Sequence, residues 1–176
     1  MIGGITMYFK HFSPEAISDN VFHMIGDEWM LITAGDRNSC NTMTASWGSM
    51  GILWNKPVVH IFVRPQRYTY AFLEQQDMFT LSVFESVYRP QLQLCGTKSG
   101  RDLDKISACG FTVTETENGT PYFGEARLVF VCKKLYWHDI HPERFLDREL
   151  KKHYPLDDYH REYIGEILDV LVKTEE

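Results

Sequence analysis

The 176-residue sequence predicts a mainly β fold, an antiparallel barrel or sandwich with short helices inserted between its strands. Six or seven segments are β-branched or alternate apolar with polar residues, most connections between them are short, and the helical stretches are few and brief. No glycine-rich loop of Rossmann or Walker spacing is present, so a doubly wound nucleotide fold is not expected. With 44% hydrophobic and 14% aromatic residues, the chain is globular and long enough for one domain, spanning 1–176, with its own core.

Residues 29–35, WMLITAG, form an apolar run ended by Gly35 and the turn-prone GDRNS, a strand followed by a hairpin turn. TMTASW alternates as a strand until Gly48 and Gly51 interrupt it, the mark of a bulge or of a close backbone approach. PVVHIFV (57–63) is β-branched and starts at a proline, which a strand's first position tolerates. Tyr68, Ala71, Phe72 and Gln75 recur at helical spacing, giving a short helix over 66–76. MFTLSVF (78–84) is a strand, and RPQLQLCG and DLDKISACG are short helices, the second stopped by Gly110. Strands resume with FTVTET, turn at ENGT and continue through ARLVFVCKKLYW (126–137). HPERFLDRELKKHY has Pro142 at a first helical position, Glu143 early, Lys151 and Lys152 late and Pro155 beyond the end, which predicts a helix. YIGEILDVLVK is the last strand.

A net charge of −6, with basic pairs only at Lys133-Lys134 and Lys151-Lys152, leaves no electrostatic footprint for nucleic acid or an anionic membrane. The uncharged run 38–55 approaches the length of a membrane span, but its Asn, Ser, Thr and Gly content is expensive in hydrocarbon. Cys40, Cys95, Cys109 and Cys132 fit neither a redox pair nor a zinc knuckle, and no secretory apolar region opens the sequence; free thiols in the cytoplasm are expected.

Three stretches place polar chemistry at structural transitions. Asn41, Thr42, Thr44 and Ser46 supply donors and acceptors without charge and Trp47 a flat face, a set that suits an edge strand with hydroxyls facing water or a planar heteroaromatic ligand. Arg64, Arg67 and Thr69 sit at a strand end and a helix start, where amides and guanidinium groups meet phosphate; two surface arginines beside a turn would look the same. Ser99 and Lys105 could complete an anion site, or belong to a solvated loop with local ion pairs. HDIH (138–141) offers a histidine pair without an identifiable third ligand, so no metal site is expected. His60 reads as a packed strand residue, and His160 is kept as a polar partner in a site.

Taken in order, NTMTASWG, NKP (55–57), RPQRYTY, FTLSVF, SGRDLDK, TPYFGEA and H-x-x-x-x-GEI (160–167) resemble the flavin reductase-like family with an FMN-binding split barrel, its flavoredoxin-type members in particular. The resemblance spans roughly 29–172; the segment before Trp29 and the stretch 141–158 match no motif of it. It implies a Greek-key split β-barrel that forms a homodimer and holds FMN near the subunit interface. By position, Asn41, Thr42, Met43, Thr44, Ala45, Ser46 and Trp47 would line the isoalloxazine ring, Arg64, Arg67 and Thr69 would approach the phosphate, and Ser99 and Lys105 match a second phosphate-side motif. His160 would stand near the flavin face where NADH or NADPH docks. The implied function is an oxidoreductase that takes hydride from NAD(P)H and passes electrons to free flavin, ferric complexes or another small-molecule or protein acceptor. The alternative is a flavoredoxin-like FMN electron carrier without its own NAD(P)H site.

Overall fold

The computed structural model describes residues 7–175. Its strands are β1 (Met7–Phe12), β2 (Met30–Gly35), β3 (Cys40–Ala45), β4 (Gly48–Leu53), β5 (Lys56–Val63), β6 (Met78–Val83), β7 (Val113–Glu115), β8 (Pro121–Phe123), β9 (Leu128–Asp139) and β10 (Arg161–Glu175). The helices are α1 (Val21–His23), α2 (Tyr68–Gln75), α3 (Arg89–Thr97) and α4 (Lys105–Cys109).

Eight strands form one antiparallel sheet in the order β3-β2-β6-β9-β10-β5-β4, with β1 on β10; β7 and β8 make a separate hairpin. The strands at the two ends of that path, β3 and β4, are consecutive in the chain and separated only by Ser46 and Trp47. A sheet whose ends are tied this closely must curl until they meet, which makes it a split barrel with a seam between β3 and β4. β10 makes the curl possible. Its first half pairs with β5, its second half pairs with β1, and it pairs with β9 along its length. Register shifts at Ile164/Gly165 and Ile167/Asp169 bend it between the two duties.

The barrel interior is filled from alternate positions, among them Ile32 of β2, Ile61 of β5, Leu81 of β6, Phe130 of β9 and Tyr163 of β10. The opposite face of β2 and β9 is also covered: Leu31 and Val129 pack with Leu92 and Cys95 of α3 and with Phe111 and Phe123. Burial on both faces explains why β2 reads as an unbroken apolar run rather than an alternating one.

The expected hairpin at 29–45, the strands β5, β6, β9 and β10, and the helices α2, α3 and α4 are all found, with Gly110 in the left-handed conformation (φ 69°) capping α4. Three expectations change. There are ten strands among the described residues rather than six or seven, because β1, β4 and β8 escaped notice. Gly48 and Gly51 do not form a bulge: both lie inside β4, in register with β5. Gly48 does mark a close approach, since a Cβ there would stand 2.8 Å from the His60 carbonyl oxygen. Last, 141–154 is not an α-helix but two 3-10 turns, Pro142–Arg144 and Arg148–His153. The helix grammar at its ends is intact, but between them only Tyr154 is buried, so no apolar stripe repays α-helical order.

Candidate functional site

Where β3 runs into β4 the seam opens a cavity of about 190 Å³ lined by Met43, Thr44, Ala45, Ser46, Trp47, Phe62, Arg64, Arg67 and His160. Each wall follows from the local fold. Ser46 and Trp47 are exposed because they are the link between the sheet's two end strands. Phe62 lies on the outward side of β5, opposite the core residues Ile61 and Val63. Arg64 directly follows β5 and Arg67 is the N-cap of α2.

His160 is buried, its Nδ1 2.9 Å from the Tyr154 hydroxyl, with the rings of Trp47, Phe62 and Tyr154 around it. Burial, reinforced by the nearby Arg64 cation, lowers its pKa to about 4, so the ring is neutral at neutral pH. Arg67 donates to the carbonyls of Gly96 (2.8 Å) and Cys95 (3.0 Å) at the end of α3, and burial pulls its pKa down. Arg64 pairs with Asp158 (2.5 Å), donates to the His153 carbonyl (2.8 Å) and lies over the Tyr154 ring. The cavity thus has neutral polar and flat groups along one wall and two guanidinium groups on the other, with no acid among its lining residues.

The remaining sequence-predicted residues sit behind this wall. Asn41 is buried and donates to the Thr69 hydroxyl (2.7 Å), tying β3 to α2. A Cβ on Gly100 would collide with the Asn41 side-chain oxygen, so the loop before α4 passes this strand only as glycine. The Thr42 hydroxyl turns inward, bonded to Thr33 and to the Ile32 carbonyl (3.1 Å), and leaves only its backbone for a ligand. Lys105 is buried; its ammonium donates to the carbonyls of Thr42 and Cys95, and burial lowers its pKa to about 8. Ser99 accepts from the Arg101 amide (3.1 Å) in the turn before α4. Asn41 and Lys105 border a second cleft of about 570 Å³, whereas Thr42, Thr69 and Ser99 line neither space.

Sequence reasoning missed Phe62, Tyr154, His153 and Asp158. Phe62 could have been found from the alternation of PVVHIFV, which puts His60 and Phe62 on the face away from Ile61. His153 and Tyr154 belong to the stretch expected to be a helix and Asp158 lies just past its end, and no local signal there points at the barrel. Among the described residues no group of three or more His, Cys, Asp or Glu could hold a metal ion, and no helix is long and apolar enough to cross a membrane.

The profile of the flavin reductase-like domain family matches residues 23–176. No curated protein sequence matches significantly. Among solved structures, the FMN-binding domain of a flavin reductase-like enzyme from Shewanella baltica superposes with a TM-score of 0.68 at 17% identity, over 94% of this chain and 77% of that one. Flavoredoxin of Desulfovibrio vulgaris gives 0.64 at 27% identity, over 82% and 68%. An NADH:FAD oxidoreductase from Streptomyces globisporus gives 0.61 at 17% identity, over 85% and 75%.

Proposed function

Because the chain belongs to the flavin reductase-like domain family, we propose that it is an FMN-dependent oxidoreductase that draws hydride from NADH or NADPH and delivers electrons to free flavin, a ferric complex or another acceptor. The observation that carries this reading is the seam cavity, where a neutral polar strand, a half-exposed indole and two arginines converge with a neutral histidine. That donor set fits FMN: uncharged groups suit the edge of a neutral ring, and guanidinium groups suit a phosphate. FMN, when bound, would supply the hydride and electron chemistry.

The chain's own residues have narrower tasks. Ser46 and the backbone of 41–47 would hold the ring, with Met43, Ala45 and Trp47 excluding water from it. Arg67, with two of its five N–H groups committed to carbonyls, keeps three for a phosphate. Asn41, Thr69 and Lys105 would keep β3, α2 and α3 in register behind the ring, and Ser99 would shape the loop that passes Asn41. His160, neutral and buried, would offer a hydrogen bond at the cavity without adding a charge that would repel a developing cation.

A cavity of about 190 Å³ is smaller than the roughly 300–1,000 Å³ usual for ligand pockets, so one chain encloses only part of a flavin. This supports a homodimer in which a second copy closes the open side. Ile52 of β4, Trp54 of the β4–β5 turn and Tyr136 of β9 are exposed, with the Trp54 and Tyr136 rings packed edge to face, an apolar surface of the kind such contacts use. The free thiols suit a reducing cytoplasm.

A flavoredoxin-like electron carrier is the second reading, favoured by the 27% identity to the Desulfovibrio protein and by the loop of 140–160 that crowds His160. Steady-state oxidation of NADH and NADPH with free FMN or ferric citrate as sole acceptor separates the two. Many turnovers per chain support the reductase; a single stoichiometric exchange supports the carrier.

A further inference from the structure

We infer that Asp158 is a positioning residue that occupies Arg64 in place of a ligand's phosphate, so that an anionic ligand entering the seam must displace the loop carrying Asp158. This rests on the reading in which Arg64 meets the cofactor's phosphate.

Residues 140–160 connect β9 to β10 and are pinned at their base, where the Ile140 amide donates to the His160 carbonyl (2.9 Å) and Asp139 accepts from Arg161 Nε (2.7 Å) and Nη2 (2.9 Å). From this base the loop reaches two residues of the cavity wall, Arg64 and Trp47. Asp158 Oδ2 accepts from Arg64 Nη1 (2.5 Å) and Gln66 Nε2 (2.5 Å), and the His153 carbonyl accepts from Arg64 Nη2 (2.8 Å). The Tyr154 ring stacks on the guanidinium at 5.0 Å. A carboxylate at the tip of the fork with a ring against its face is how arginine receives a carboxylate or a phosphate. Asp158 therefore imitates a ligand.

Three features make the contact exchangeable. Asp158 Oδ1 is buried and has no partner, so the carboxylate is held by one oxygen only. Among the described residues Asp158 is the only acid paired with Arg64, and none lines the cavity, so a second anion at that fork would face Asp158 alone. The loop is lightly anchored elsewhere: of residues 141–158 only Tyr154 is buried, while Leu146 and Leu156 are exposed. At side-chain exposures of 24% for Arg64 and 15% for Asp158, the pair is shielded enough that losing it matters.

The test uses the full chain freed of flavin and compares FMN with riboflavin, which lacks the phosphate, by quenching of flavin fluorescence. Asp158→Asn should tighten FMN by about tenfold, the effect of removing one charge-assisted competitor, and leave riboflavin unchanged. Arg64→Ala should weaken FMN and spare riboflavin; if FMN is unaffected, the phosphate reading of Arg64 fails first and the inference falls with it. If Arg64→Ala weakens FMN but Asp158→Asn leaves it unchanged or weaker at an unaltered melting temperature, Asp158 is not a competitor. Should Asp158→Asn fail to fold, the wild-type loop reports instead: trypsin should cut after Lys151 or Lys152 faster with FMN than with riboflavin. Protection by FMN would overturn the displacement.

Discussion

Two buried titratable side chains show how individual residues are committed. His160 has its pKa lowered from 6.5 to about 4 by burial, with Arg64 adding to the effect. The unfolded chain therefore takes up this proton first as the pH falls. The stability attached to the neutral ring is full above pH 6.5 and is lost as the pH falls through 4, by up to about 3 kcal/mol. In urea titrations His160→Asn should flatten the dependence of unfolding free energy on pH between 6.5 and 4; an unchanged slope would mean that His160 is not buried as described. Lys105 was selected in the sequence for its charge near Ser99, yet its ammonium serves the Thr42 and Cys95 carbonyls. Lys105→Met keeps the apolar stem but takes the charged donor from two carbonyls, leaving Cys95 with Arg67 alone and Thr42 with a long contact from Asn41 (3.4 Å), which should cost about 1–3 kcal/mol in the same titrations. A loss below about 0.5 kcal/mol would indicate a solvated lysine.

Among the elements, those with strong local grammar were readable and those decided by distant contacts were not. The hairpin β2–β3 announced itself by Gly35 and GDRNS, and α4 by Gly110 behind it, with the Asp104 cap seen only in the structure. The β4–β5 hairpin did not. Its two-residue turn is Trp54-Asn55, both at positive φ (52° and 57°), where tight hairpins prefer Asn-Gly. A tryptophan in that conformation carries strain of roughly 1–2 kcal/mol, and its ring packs edge-on to Tyr136 of β9. The loop of 140–160 misled for the opposite reason. Its ends spell a helix, but Tyr154, Arg64 and Asp158 hold it against the barrel as 3-10 turns. The segment between α3 and α4 carries its own expectation. Gly100→Ala forces Asn41 off Thr69, so FMN affinity should fall several-fold while the far-UV circular dichroism spectrum keeps its shape; undiminished affinity would separate this loop from the site.

At the level of the whole molecule, closure of the sheet places the site. The motif NTMTASWG could be quoted from the sequence, but not that Ser46 and Trp47 join the two ends of an eight-stranded sheet and so bring β3, β5 and the residue before β10 to one seam. That follows from β10's bulges and its double pairing, which no window of residues encodes. The exposed rings of Trp54 and Tyr136 bear on the proposed homodimer. Trp54→Asn suits the turn and removes an exposed ring, so it should weaken self-association in sedimentation experiments by tenfold or more, roughly the loss of one interface anchor, with little change in thermal stability. Unaltered association would remove Trp54 from the proposed dimer contact. The proposed function requires a flavin held at the seam and reduced there. It is tested most directly by the visible absorption spectrum of the purified chain with one equivalent of FMN under argon, before and after NADH or NADPH is added. The expected result is flavin bands shifted from those of free FMN that bleach on addition of at least one of the two donors. Bands identical to free FMN, or bound bands that neither donor bleaches, would contradict it.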